Sequence, residues 1–321
     1  MEERKLTKTE EEYFPVQLDS LRLDSLLDFA LYLKVRNQYV LFRAEHLQFS
    51  EQTRSELLSN KVHTLYLKKE ARPHYLRYVE KHLTSILRDP SLTEERKAQL
   101  VYDTSTNLLQ EVLENPTSTE NIKRATAAAS NTVSFVLRGR ESFRHLVAMT
   151  SYDYRTYTHS VNVCLYTVAL AEALGYQDQS DLNDIGIGAL LHDIGKSKID
   201  TTILNKGGPL TPEEYDVMKH HPVWGVNLLR ETSVIPEISY ELVLHHHERV
   251  DGSGYPDHVS GGDLHEYARL SGIADVFDAL TTRRPYKGAI RSFDALDMMG
   301  KMPGAFDVGL YREFVRLMGQ E

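Results

Sequence analysis

Thiol is almost absent from this sequence. Its one cysteine, Cys164, excludes an intramolecular disulfide framework and fits a reducing cytoplasm. Long apolar runs are missing too. A membrane-spanning helix needs roughly 18 uninterrupted apolar residues, and the nearest stretch, residues 161–171, stops at Glu172. The start, from Met1 to Glu10, is charged and does not read as the apolar core of a signal peptide. A soluble cytoplasmic chain with no membrane span is therefore expected. Positive charge is in deficit, with 37 Lys+Arg against 46 Asp+Glu and a formal net charge of −9. A coat for long nucleic acid needs a basic surface that displaces counterions, so that partner is excluded.

What is present is globular. The 321 residues are 41% hydrophobic and 26% charged, too apolar for disorder. At roughly 100–200 residues per domain the length predicts two domains. Residues 14–18, 31–35, 38–43 and 62–67 read as strands, and 50–58 as a helix opened by Ser50 as N-cap. Together they predict a small α+β accessory or regulatory module over 1–72, without a Gly-rich phosphate loop. From Pro73 the period changes: Tyr75, Tyr78, Val79, His82, Leu83 and Ile86 share one helical face. Breaks at Asp89-Pro and Asn115-Pro bound a second helix, so 73–121 reads as a helical connector that could offer a coiled-coil-like dimer seam. Residues 122–321 read as helices joined by short loops. The predicted fold is mainly α, an all-α C-terminal bundle behind the α+β module and its connector.

Histidine is the outlier. There are 14, ten of them at or after His145, including His220-His221 and His245-His246-His247. Histidines bunched beside Asp and Glu are how a metal site looks in sequence. His159, His192-Asp193, His221, His246-His247 and Asp275 each lie in or beside an apolar helical stretch, where a carboxylate is costly to bury unless paired or metal-bound. Mixed imidazole and carboxylate ligands suit borderline divalent or ferrous ions and argue against a closed thiolate zinc site. A carboxylate can bridge two ions that share a hydroxide nucleophile. Neighbours on a helix point about 100° apart, so His192 and Asp193 could serve different sides of such a centre.

Three motifs carry a family resemblance: His192-Asp-Ile-Gly-Lys196, His246-His-Glu-Arg-Val-Asp-Gly-Ser-Gly-Tyr-Pro256 and Asp275-Val-Phe-Asp-Ala-Leu-Thr281. They resemble the HD-GYP subgroup of the HD phosphohydrolases from about Ile122 onward, with the linking stretch after Ile203 and Arg284-Pro-Tyr-Lys287 in place. The resemblance implies a helical bundle whose metal ligands are His159, His192, Asp193, His221, His246, His247 and Asp275, with Asp193 bridging. Some family members hold a third metal through a Glu one turn before the first histidine. Arg155 stands there, so two divalent ions are expected, Fe or Mn first, Ni or Zn as further choices. In this register His245 and His220 are neighbours of ligands rather than ligands.

The implied activity is hydrolysis of cyclic di-GMP to linear pGpG, with GMP as a further product. Asp193 and Lys196 are the catalytic candidates, Lys196 neutralising charge on the scissile phosphate or protonating the leaving group. The same lysine would also suit a helix C-terminus. Arg284 and Lys287 are expected on the substrate's other phosphate or guanine edges, and Gly254, Tyr255 and Pro256 at its lip. Asp278, one turn after Asp275, is expected to support the site from behind. Cys164 and the cluster Tyr152, Tyr154 and Tyr157 read as packing. Two rival readings stand beside this one. One is a cyclic dinucleotide receptor with little or no catalysis, and the other a phosphodiesterase for a different cyclic nucleotide. A homodimer or a signalling-protein partner stays open.

Overall fold

A computed structural model of the chain describes residues 12–150, 155–282 and 289–319. The chain divides into two compact units, Met1–Leu100 and Val101–Glu321. In the first, β-branched and aromatic stretches form strands β1 (Tyr13–Gln17), β2 (Ser25–Leu27), β3 (Leu31–Val35), β4 (Gln38–Arg43), β5 (Leu47–Phe49) and β6 (Thr64–Lys68). One antiparallel sheet runs β1-β6-β3-β4, and β2 pairs with β5. Register follows the alternation: Val16 opposite Leu65 and Phe14 opposite Leu67 put Val16, Leu65 and Leu67 inside. Between the last two strands lies α1 (Glu51–Ser59), whose N-cap Ser50 accepts from Thr53 N as expected. Helix α2 (Arg72–Leu87) buries Tyr75, Tyr78, Val79, Leu83 and Ile86, the face its period predicted. The division between the units falls within α3 (Glu94–Glu114).

The second unit is helical, with no strand among its described residues. Helix α4 (Thr119–Val136) and α5 (Arg140–Met149) lead to α6 (Thr156–Ala173), whose side chains are buried from Thr158 through Ala171. A helix apolar all round belongs at the centre of a bundle. Against it pack α7 (Gln179–Leu191) and α12 (Glu266–Thr281). The rest of the bundle is α8 (Thr201–Leu204), α9 (Pro212–Met218), α10 (His221–Thr232), α11 (Glu237–His245), α13 (Ser292–Gly300) and α14 (Val308–Met318). Tyr166, Phe277 and Phe314 meet edge-to-face, with Phe277 5.3 Å from Tyr166 and 5.1 Å from Phe314, and tie α6, α12 and α14 together. Cys164 is part of this core: its thiol donates to Gly186 O, and burial pushes its pKa up to about 12. Among the described residues no helix is long and apolar enough to cross a membrane.

Candidate metal centre

Four helix ends and one helix interior converge on one buried cluster. His159 comes from the first turn of α6, Asp275 from the middle of α12, and His192 and Asp193 from the end of α7. His221 opens α10, while His246 and His247 follow α11. All seven ligand candidates fall into three groups whose donor atoms lie within 4.8 Å of one another: His221, His246 and His247; His159, His192 and Asp275; and His192, Asp193 and His246.

Asp193 sits between the first two groups. Its Oδ1 faces His221 Nε2 at 3.3 Å and His246 Nε2 at 3.9 Å. Its Oδ2 faces His192 Nε2 at 3.4 Å and His159 Nε2 at 3.6 Å. Asp275 reaches His159 Nε2 at 2.9 Å and His247 Nδ1 at 3.4 Å. Lys196, three residues on in the 3-10 segment Ile194–Lys198, pairs with Asp193 Oδ2 at 2.6 Å.

The tautomers follow from the partners. The Nδ1 atoms of His192, His221 and His246 point at the carbonyls of Ala189, Met218 and Val243, 2.7–2.9 Å away. A carbonyl only accepts, so each Nδ1 carries a proton, and in His221 and His246, which burial keeps uncharged, Nε2 turns a lone pair toward the cluster. The consequence is a set of acceptors facing acceptors. His221 Nε2 and His246 Nε2 stand 3.1 Å apart, and neither His192 Nε2 nor Asp193 Oδ1 makes a hydrogen bond though both are buried. Protons do not resolve the clash. Burial holds the pKa of His221 and His246 below the ordinary imidazole value and that of His247 down at about 3. Burial pushes the Asp193 and Asp275 carboxyls up, but His192 and Lys196 for the first, and His159 and His247 for the second, hold both well below the usual range. Neutral imidazoles beside ionised carboxylates, with unsatisfied buried lone pairs, are what divalent cations require. The donor set fits a metal centre.

The centre opens on a cavity of about 1170 Å³, large enough for a dinucleotide-sized molecule. Lys196, Gly254 and Tyr255 stand in its wall, whereas Pro256 does not. Tyr255 lays its ring against His247 at 4.8 Å, and a Cβ on Gly254 would collide with the backbone of His247, Glu248 and Arg249. Glu248 fixes this loop by accepting from the amides of Asp257 and His258. Arg284, Lys287, Tyr152 and Tyr154 lie outside the described residues. His245 turns away to Glu241 and Asp257, and His220 stacks on Trp224. Asp278 Oδ2 accepts from His159 Nδ1 at 2.7 Å. Sequence reasoning missed Asn162 and Thr282, which also donate to Asp278, at 2.8 and 3.1 Å. The spacing of Asn162, one turn after His159 on α6, was a signal available for it.

A helical bundle closed over paired histidine and aspartate residues defines the class. The HD domain family model matches residues 142–310, and the chain belongs to that family. Over 198 residues it is 37% identical to "Cyclic di-GMP phosphodiesterase PA4108" of Pseudomonas aeruginosa, a match covering 60% of this chain and 48% of the relative. A "Cyclic di-GMP phosphodiesterase" of Thermotoga maritima is 40% identical over 136 residues, covering 42% and 37%. "3'3'-cGAMP-specific phosphodiesterase 2" of Vibrio cholerae is 37% identical over 154 residues, covering 46% and 29%. The chain thus spans about half the length or less of these relatives. The fold matches Bd1817, a HDG"Y"P protein from Bdellovibrio bacteriovorus, with a TM-score of 0.66 over 96% of this chain and 100% of that one, at 22% identity.

Proposed function

We propose that this chain is a metal-dependent phosphodiesterase of cyclic dinucleotides, with cyclic di-GMP as substrate and linear pGpG as first product. The observation that carries the proposal is the acceptor-lined cluster on the cavity wall, with Asp193 presenting one oxygen to each histidine group. His221, His246 and His247 would hold one divalent ion, and His159, His192 and Asp275 the other, with Asp193 shared. Bound there, such ions supply Lewis acidity toward a phosphoryl oxygen and a water acidified enough to attack at neutral pH. The chain's own groups do the rest. Asp193 and Asp275 stay ionised, and the backbone carbonyls keep three imidazoles in the ligating tautomer. Lys196 holds its Nζ 2.6 Å from Asp193 Oδ2 at the cavity wall, where it would offset charge on the phosphoryl oxygens. In the hydrolysis a P–O bond to water forms, the P–O3′ bond breaks, and the 3′-oxygen leaves with a proton. Tyr255 and Gly254 give the cavity its lip, and Arg284 and Lys287 remain candidates for the second phosphate.

The relatives named for 3′3′-cGAMP favour a second substrate. Purified chain loaded anaerobically with Fe(II) or Mn(II) is incubated with cyclic di-GMP and 3′3′-cGAMP in parallel, and products are resolved by chromatography. Conversion of cyclic di-GMP to pGpG is expected, with a loss of at least about a hundredfold for Asp193→Ala. Both substrates left intact would overturn the activity. Faster cleavage of 3′3′-cGAMP would overturn the substrate choice alone.

A further inference from the structure

A buried hydrogen-bonded chain leads from the centre to a helix outside the region matched by the family. His159 donates from Nδ1 to Asp278 Oδ2, and Asn162 Nδ2 donates to Asp278 Oδ1. Asn162 Oδ1 in turn accepts from the hydroxyl of Tyr102 at 3.0 Å. Tyr102 is 5% exposed and Asn162, Asp278 and His159 at most 1%, so water does not compete for these bonds. Tyr102 belongs to α3, well before residue 142 where the family match begins.

The direction of each bond matters. A carboxamide can present either end to a carboxylate, but its oxygen would set two acceptors together and its NH₂ donates. The Tyr102 hydroxyl gives the amide oxygen a donor on the side away from Asp278, and so selects the productive orientation. We infer that Tyr102 is a positioning residue for the metal centre. By fixing the Asn162 amide it holds Asp278, and through Asp278 the ring of His159, with Nε2 turned toward Asp193 and Asp275. Outer partners of a ligating histidine typically shift metal affinity 10–100-fold; Tyr102 stands further out, so a loss of about tenfold is expected.

The test uses the full chain and Mn(II). Tyr102→Phe keeps the ring and removes the hydroxyl. Affinity is measured by competition with a chelating dye, and the fold of the metal-free protein by circular dichroism. The expected result is about tenfold weaker binding on an unchanged fold. In an Asn162→Ala background, Tyr102→Phe should change affinity no further, because the relay is already cut. Packing alone would not produce that non-additivity. Tyr102→Phe binding within about twofold of wild type, or losses that simply add, would overturn the positioning role. The inference rests on the metal-centre reading. A wild-type chain that takes up no Mn(II) overturns both, whereas a binding wild type matched by Tyr102→Phe overturns the positioning role alone.

Discussion

Asp193 and Asp89 are both carboxylates held ionised, by different means and at different places. Asp193 relies on the histidines and Lys196 around it; Asp89 has no such cluster. Burial raises the Asp89 pKa, but the Ser91 hydroxyl and amide and the Arg22 guanidinium, 2.6 Å away, outweigh it and hold the group at about 2. A depressed folded value contributes stability that is complete above the unfolded value and lost as pH falls through the folded one. The stabilisation should therefore be intact at neutral pH, decline from about pH 4 downward and be gone only below about pH 2. Asp89→Asn should cost about 1 kcal/mol at pH 7, the scale of a partly screened charge-assisted bond, and close to nothing well below about pH 2. Hydrogen exchange of the β1 and α2 amides across that range reads the difference. An equal loss at both ends of the range would show that the charge is not the cause.

The elements carry a constraint that no single side chain does. Gly195 lies where the 3-10 segment carrying Asp193 and Lys196 meets the start of α10, and a Cβ there would collide with the His221 carbonyl and Gly225 N. Gly195→Ala must push the segment off α10, separating the Asp193 carboxylate from His221. The expected cost is about 2 kcal/mol of stability and a clear loss of divalent-ion affinity, read by thermal melting and metal titration. Unchanged affinity would mean that the segment can move without disturbing the cluster. Sequence legibility stops at this level for a physical reason. Strands β1, β3, β4 and β6 and helix α2 announced themselves by period, whereas β2 and β5, at three residues each, are too short to show alternation. The seven ligand candidates were legible because a buried carboxylate or imidazole conflicts with its apolar surroundings. Asn162, Thr282 and Tyr102 raise no such conflict. Asn162 and Tyr102 acquire their meaning from partners 116 and 60 residues away.

For the whole chain, net charge is a poor guide to what it binds. A value of −9 speaks against long polyanions, yet local cations within a screening length of about 8–10 Å decide the binding of a small dianion. The cluster is instead a place where the native state gives up stability without cations, since it buries acceptors that find no donors. Any ion that binds there and not to the unfolded chain must stabilise the fold by RT ln(1 + [ion]/Kd), about 2.7 kcal/mol at a hundredfold excess over Kd. For a unit of this size that is a rise of roughly 5–10 °C in melting temperature. Trp224, the single tryptophan, sits in α10 four residues after His220 and reports the melting of the site-bearing unit directly. Its fluorescence should show the rise with Mn(II) or Fe(II), its reversal by a chelator, and only a small rise in Asp193→Asn, which removes one charge from between the two histidine groups. An equal rise in that variant would place the ions elsewhere on the protein and leave the cluster's facing lone pairs to be satisfied by protons or water.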